Sequence, residues 1–291
     1  MTSKGIFSFF IGFYLLLFFA YLFGPLLIMG ATAFNNSSYP QLWPWEGFTL
    51  YWFIKLANDQ AMLRGIGNSL LVGLGVICLA VPIGLAGAIV MTQIYWRARA
   101  LYYLIVVSPL LTPGVIIGIS TVLFWRQLLG ANQPLYSGYF MTILGQATFI
   151  SAYCMLIFLS RLQRFDRAQE EAALDLGASN LQFFWQVLLP FLRPAVFSAA
   201  VLAFLSSFEN YNTTTFTILA RTTLTTELAG RVRQGSNPSL SALALLIITI
   251  TLIGAILYEI YKRREDRREK ARAAVAAAAA EAEGEPAIAA A

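Results

Sequence analysis

Six blocks of roughly 20 or more apolar residues, separated by short polar stretches, divide this chain. A block of that length is what an α-helix needs to cross a bilayer. The blocks fall at about 6–33, 65–93, 100–125, 139–160, 190–219 and 238–261. A backbone in hydrocarbon must satisfy its own hydrogen bonds, so each block is expected to be helical. The pattern predicts an all-α membrane protein with about six transmembrane helices. Charge agrees with this. Only 12% of the residues are charged, about half the share of a soluble domain, too few to coat a globule of 291 residues. The first block is longer than a signal-peptide core of about 7–15 residues, and no small-x-small cleavage site follows early. It is read as an uncleaved span, kinked at Gly24-Pro25.

Six spans put both termini on one side. Thirteen lysines and arginines fall in segments on that side and six on the other. The bias places both ends in the cytoplasm of a bacterial inner membrane, although the outer loop expected at 220–237 holds three arginines. Residues 34–64 read as a polar, aromatic loop. Its Trp43, Trp45, Tyr51 and Trp52 suit an interfacial belt better than a ligand cage. Residues 1–262 form the membrane domain and 263–291 a tail, basic and then Ala/Glu-rich, read as frayed. The basic cluster at 262–272 reads as a positive-inside anchor, with lipid-headgroup contact as the alternative.

Several chemistries are excluded or disfavoured. There is no histidine, which removes the commonest general base and metal ligand. Cys78 and Cys154 lie in apolar blocks without CxxC spacing and read as inert, buried thiols. No GxxxxGK[ST] sequence occurs, so phosphate-cradling chemistry has to come from another polypeptide.

The segment 161–189 is charged and helical in pattern, too polar to span. Glu170 to Leu176 is a good helix former with its acids near the start, where the helix dipole favours them. Gly177 can take a left-handed conformation and end that helix. Ser179 or Asn180 can cap a second helix running until Pro190. The expected result is a helix, a turn and a helix, presenting small residues at the bend, suited to a groove in a partner.

At these residues the chain resembles a known family. Glu171-Ala172-Ala173, then Gly177, then Val187-x-Leu189-Pro190 is similar to the EAA loop of permease subunits of ATP-binding-cassette importers. In that family the loop, here about 164–189, is a cytoplasmic coupling helix seated in a cleft of the ATPase subunit. The resemblance implies that role for Glu171, Ala172 and Gly177, with Ala173, Asp175 and Pro190 in the same element. Gly67-Asn68-Ser69-Leu70, Ser108-Pro109-Leu110-Leu111-Thr112-Pro113-Gly114, Ser206-Ser207-Phe208-Glu209-Asn210 and Arg233-Gln234-Gly235-Ser236-Asn237-Pro238 are similar to stretches of spermidine/putrescine-type permeases. The likeness covers nearly the whole chain except the tail. It departs where family members often carry a second acid, at Asn210, and an acid after the last-loop proline, at Ser239. The resemblance also implies partners: a second, often non-identical permease, two ATPase subunits and a periplasmic binding protein. ATP and magnesium then belong to the ATPase subunits. This chain would hold no cofactor or metal, would not itself be an enzyme, and would contact lipid but no nucleic acid.

Glu209 is the one carboxylate well inside an expected span. An ionisable group in lipid costs several kcal/mol unless paired or hydrated. On a continuous helix, Ser206, Glu209, Asn210 and Thr213 share one face, with Tyr211 beside them. A carboxylate next to aromatic rings can hold an ammonium. The alternative is that Glu209 is protonated, or paired with an arginine of a sister subunit. Pro109 and Pro113 each remove a backbone donor, so their span should bend or partly unwind, as a gate or as a static kink.

Polyamine import by alternating access is the leading reading. Iron, organic amines and opine-like solutes are alternative cargoes. An ion-coupled secondary transporter would need ionisable groups in several spans, and only Glu209 qualifies. An intramembrane enzyme would need a catalytic constellation, and none can be assembled.

Overall fold

A computed structural model describes residues 3–130, 136–235 and 237–284. Twelve α-helices account for most of them: α1 Ser3–Thr32, α2 Tyr51–Ala57, α3 Gln60–Gln93, α4 Trp96–Leu111, α5 Gly114–Leu129, α6 Gly138–Leu162, α7 Ala168–Asp175, α8 Asn180–Phe183, α9 Leu189–Phe208, α10 Thr214–Thr217, α11 Leu224–Gln234 and α12 Pro238–Gly284. Among the described residues, five helical stretches are long and apolar enough to cross a membrane, and α4 with α5 makes a sixth, bent by 101°. The all-α, six-span expectation therefore holds, with the third span broken.

The chain divides into two units, 1–58 with 236–291 and 59–235. In the first, α1 leaves the loop at Ala33. The buried Asn35 amide donates to the carbonyls of Gln41 and Pro44 at 3.0 and 3.2 Å, and its oxygen accepts from Glu46 N at 2.9 Å. Trp52 is buried and its indole donates to Asn35 O at 2.9 Å. It therefore packs inside rather than in an interfacial belt, whereas Trp43, Trp45 and Tyr51 are exposed. The 34–64 segment is also not all loop, since it holds α2 and the start of α3. Asp59 caps α3 by accepting from Met62 N at 3.1 Å, which moves that helix start ahead of the apolar block. The helix α12 continues to Gly284, where a frayed tail was expected, because alanine is the strongest helix former. The tail residues 285–291, like Ser236, lie outside the described residues.

The second unit is built on α3, α6 and α9. Their contact faces are small: Val72, Val76, Ala80, Ala88, Ala147, Ala199 and Ala203 are buried. A Cβ on Gly84 would sit 2.4 Å from Cys154 Cβ and 2.8 Å from Met155 N, so α3 and α6 touch nearly backbone to backbone, as membrane helices do. Cys154 is buried there, but Cys78 is exposed on this chain, contrary to its expected burial. Helical position 78 points away from the α6 and α9 seam that Val76 and Ala80 enter.

At the end of α6 a Cβ on Gly138 would lie 1.9 Å from the Ile218 carbonyl oxygen. Backbone cannot yield there as a side chain would. Gly138→Ala is expected to destabilise the chain by about 3 kcal/mol. Gly67→Ala, with nothing within 4 Å, should stabilise α3 by up to about 1 kcal/mol. Thermal midpoints of the two purified variants check this, and a Gly138→Ala midpoint equal to wild type would refute the packing.

Candidate functional site: two broken spans and a polar loop

The third span breaks where its prolines dictate. Thr112 precedes Pro113 and is extended, with ψ 130°, as a residue before proline tends to be. Pro109 has no N–H for the Ile105 carbonyl, and the Ser108 hydroxyl donates to that carbonyl instead at 2.8 Å. Thr112 Oγ1 likewise donates to Ser108 O at 3.1 Å. The break is thus satisfied by side chains that flank the prolines, which is how irregular backbone is tolerated at membrane depth.

The fifth span breaks too, and this corrects the sequence reading. The helix α9 ends at Phe208, so Ser206, Glu209, Asn210 and Thr213 do not share a helical face. The cause is Asn210. Its Oδ1 accepts from Thr213 N and Thr214 N at 3.2 Å and from Thr214 Oγ1 at 3.1 Å, competing with the helical ladder. Thr213 is buried and its hydroxyl donates to Gly114 O at 3.1 Å. A Cβ on Gly118 would stand 2.8 Å from Thr213 O, so glycines of α5 let the second break seat against the first. Inside, the Gln146 amide donates to Thr214 Oγ1 at 2.7 Å and accepts from Ser207 Oγ at 2.5 Å. One α6 side chain thereby ties α9 to α10 across the gap that carries Glu209.

A cavity of about 380 Å3 opens at this gap, lined by Ser206, Glu209, Asn210, Tyr211 and by Phe149 and Tyr153 of α6. Glu209 is exposed, and its carboxylate has no hydrogen-bond or ion-pair partner among the described residues. It stands past the end of a span rather than inside one. Arg233 of α11 donates to the Tyr211 hydroxyl at 2.7 Å. Thr213, Pro109 and Pro113 are not in the lining; they shape the two breaks behind it. Sequence reasoning missed Phe149, Tyr153 and Gln146, and met Arg233 only as part of a family-like stretch. Gln146, a polar side chain in an apolar block, was the available signal.

The segment 220–237 is not a loop but contains α11, started by a capping box of Thr223 and Thr226. Arg231 grips Asp59 through two bonds, 2.5 Å from Nη1 and 2.9 Å from Nη2, and reaches Glu227 at 2.8 Å. The Arg231 guanidinium holds the Asp59 carboxyl down from its ordinary 3.8 to about 2. The folded value lies below the unfolded one. This contribution is therefore complete above about pH 4 and is lost as pH falls through about 2. Asp59→Asn should lower stability by about 1 kcal/mol at pH 7. The gap to wild type should stay constant from pH 5 to 8 and close in acid, as thermal melts at several pH values will read.

On the charged segment, α7 ends in a Schellman motif. Gly177 takes φ 82°, with Gly177 N on Leu174 O at 2.9 Å and Ala178 N on Ala173 O at 3.0 Å. Ser179, not Asn180, caps α8: its hydroxyl accepts from Gln182 N at 3.3 Å and its N–H donates to Gln182 Oε1 at 2.8 Å. The second helix does not stop at Pro190. A π-turn over Phe184–Leu188 carries it into α9, with Pro190 as the second residue of that helix. Ala173 packs with buried Phe183, Leu188 and Leu192, which pins the turn. Glu171, Ala172, Asp175 and Gly177 are exposed, and so are Leu176, Leu181 and Trp185. Exposed apolar side chains clustered beside acids are the kind of patch that marks an interaction site.

Residues 80–267 match the family described as "Binding-protein-dependent transport system inner membrane component". The chain is 33% identical over 258 residues to the putrescine transport system permease protein PotI of Escherichia coli K12, covering 87% of this chain and 91% of that one. It is 27% identical over 246 residues to the spermidine/putrescine transport system permease protein PotC of the same strain, covering 84% and 90%. A bacterial ABC transporter involved in the import of the acidic polysaccharide alginate has a similar fold. The TM-score is 0.63 at 16% identity, over 90% of this chain and 98% of that one.

Proposed function

This chain belongs to the family of binding-protein-dependent transport system inner membrane components, and we propose that its cargo is a polyamine of the putrescine–spermidine class. It is a multi-pass permease of an ABC importer of the bacterial inner membrane. The observation that carries the cargo reading is the cavity at the broken fifth span, where Glu209 has no partner among the described residues and aromatic side chains share the lining. An ammonium group fits that setting by charge and by attraction to the ring faces. The names of the 33% and 27% identical relatives support the same class.

The loop bent at Gly177 is the element that docks an ATPase subunit, through Glu171, Ala172 and the exposed Leu176 and Leu181. ATP hydrolysis resides in that subunit, with two copies per transporter. A second, non-identical permease completes the path, and a periplasmic binding protein delivers cargo at the face bearing α11. Both termini lie in the cytoplasm. ATP binding moves the loops, and the two glycine-seated breaks let the spans reorient around the cavity.

A monocationic organic amine is the second reading. It is favoured because Asn210 spends its side-chain oxygen on α10, leaving one carboxylate at the cavity. Uptake of labelled putrescine and spermidine into proteoliposomes holding the complete complex tests both. ATP-dependent accumulation of either polyamine is the expected result. Hydrolysis without polyamine uptake would discard this cargo, and accumulation of a monoamine instead would select the second reading.

A further inference from the structure

On the loop side of the second unit, a hollow of about 250 Å3 is lined by Arg99 in the first turn of α4 and Arg167 at the start of α7, with Gln163 and Thr92. Among the described residues no carboxylate lines it, and neither guanidinium has an ion pair. Both arginines are exposed. The Asp166 carboxylate accepts from Ala168 N at 3.0 Å, and Glu170 lines the adjoining hollow, which shares Thr92, Leu162, Phe165 and Arg167 with this one. Two arginines thus line one hollow, and neither is ion-paired among the described residues.

A second hollow, of about 480 Å3, shares Met91 and Arg99 with the first and continues past Tyr103, Leu104, Val107 and Leu111. From Arg99 to Leu111 it follows three turns of α4, about 18 Å. A basic end therefore opens into an apolar furrow that runs along a membrane-spanning helix. A soluble anion would leave the furrow bare, and a neutral lipid would leave two guanidinium groups uncompensated. An amphiphile with an anion at one end and a hydrocarbon chain at the other covers both.

We propose that this is a binding site for one anionic glycerophospholipid, with its phosphate between Arg99 and Arg167 and an acyl chain along α4. The site lies apart from the cargo cavity, and Arg167 borders the loop proposed to dock the ATPase. Its occupant bears directly on the loop, because the Arg167 carbonyl accepts two N–H groups of the α7 first turn, from Glu170 at 3.0 Å and Glu171 at 3.1 Å.

Lipid retention by the assembled transporter tests this without any transport step, so it stands or falls separately from the cargo. After detergent washing with added phosphatidylglycerol, native mass spectrometry should find one lipid bound per copy of this chain. Retention should fall about thirtyfold in Arg99→Gln/Arg167→Gln, the usual strength of two basic residues near an anionic surface. Leu104→Trp, which fills the furrow and leaves both charges, should lose the lipid as well and serves if the double variant fails to assemble. Phosphatidylcholine should not be retained, and glycerol 3-phosphate should not displace the bound lipid. Equal retention in the variants, equal retention of phosphatidylcholine, displacement by glycerol 3-phosphate, or no lipid on the wild type would each overturn the proposal. So would a partner subunit cross-linking to Leu104→Cys in place of lipid.

Discussion

Replacing Gly177 by valine is expected to cut ATP-driven uptake at least tenfold while leaving the chain folded and inserted. The residue holds φ 82° in the Schellman turn between α7 and α8. A β-branched residue is strained by roughly 1–2 kcal/mol in that region. A Cβ there meets nothing within 4 Å, so the strain is purely conformational and is relieved by re-aiming one helix against the other. Leu176 and Leu181, on either side of the turn, then lose their relative placement on the proposed ATPase contact. Insertion is spared because Ala173 and Phe183 keep both arms against one apolar cluster with Leu188 and Leu192. Gly177→Asn, which tolerates the left-handed region, should retain most uptake. Uptake per ATP hydrolysed, measured for the three forms in proteoliposomes, reads the coupling directly. Full uptake by the valine form would remove this loop from the coupling path, whereas loss of insertion would show that the turn serves folding.

Much of this architecture is legible in the sequence because the bilayer imposes it. Long apolar blocks must become helices, and Pro113 must push Thr112 out of the helical region. Gly177 was identifiable for the same reason, since helices end where a left-handed residue is cheap. The failures share a different origin. Asn210 ends α9 through its side chain, and the polar run 206–215 marks the place in the sequence without showing that the helix stops there. Glu209 was consequently placed inside a helix that has already stopped. Cavity walls such as Phe149 and Tyr153 come from α6, some sixty positions away, and pairings over that separation are set by packing. Gly118 and Gly138 show the same limit: their absence of a side chain matters only because Thr213 and Ile218 arrive from a distant segment. The helix α11 was hidden by its composition, since its arginines resemble a polar loop until Asp59 is placed beside Arg231.

Glu209→Gln is expected to raise the KM for polyamine uptake by about tenfold to a hundredfold, the worth of one hydrogen bond to a charged group, with little change in stability. The two halves of that expectation have separate grounds. Stability is spared because the carboxylate is exposed and has no partner among the described residues, so the amide leaves no buried group unsatisfied. Affinity suffers because an amide keeps the shape but loses the charge and replaces one acceptor oxygen with a donor that an ammonium cannot use. The effect should shrink as ionic strength rises, since salt screens an exposed charge pair over about 8–10 Å. Gln146→Leu is the comparison, because it removes the tie between Ser207 and Thr214 behind the cavity without altering its charge. It should lower the maximal rate through loss of the fixed gap rather than raise KM through loss of charge. If Glu209→Gln instead lowers only the maximal rate, independent of salt, then the carboxylate acts in the conformational cycle. The ammonium would then have to be held by the aromatic walls and by a sister subunit. Unchanged kinetics in both forms would move the path away from the broken fifth span altogether.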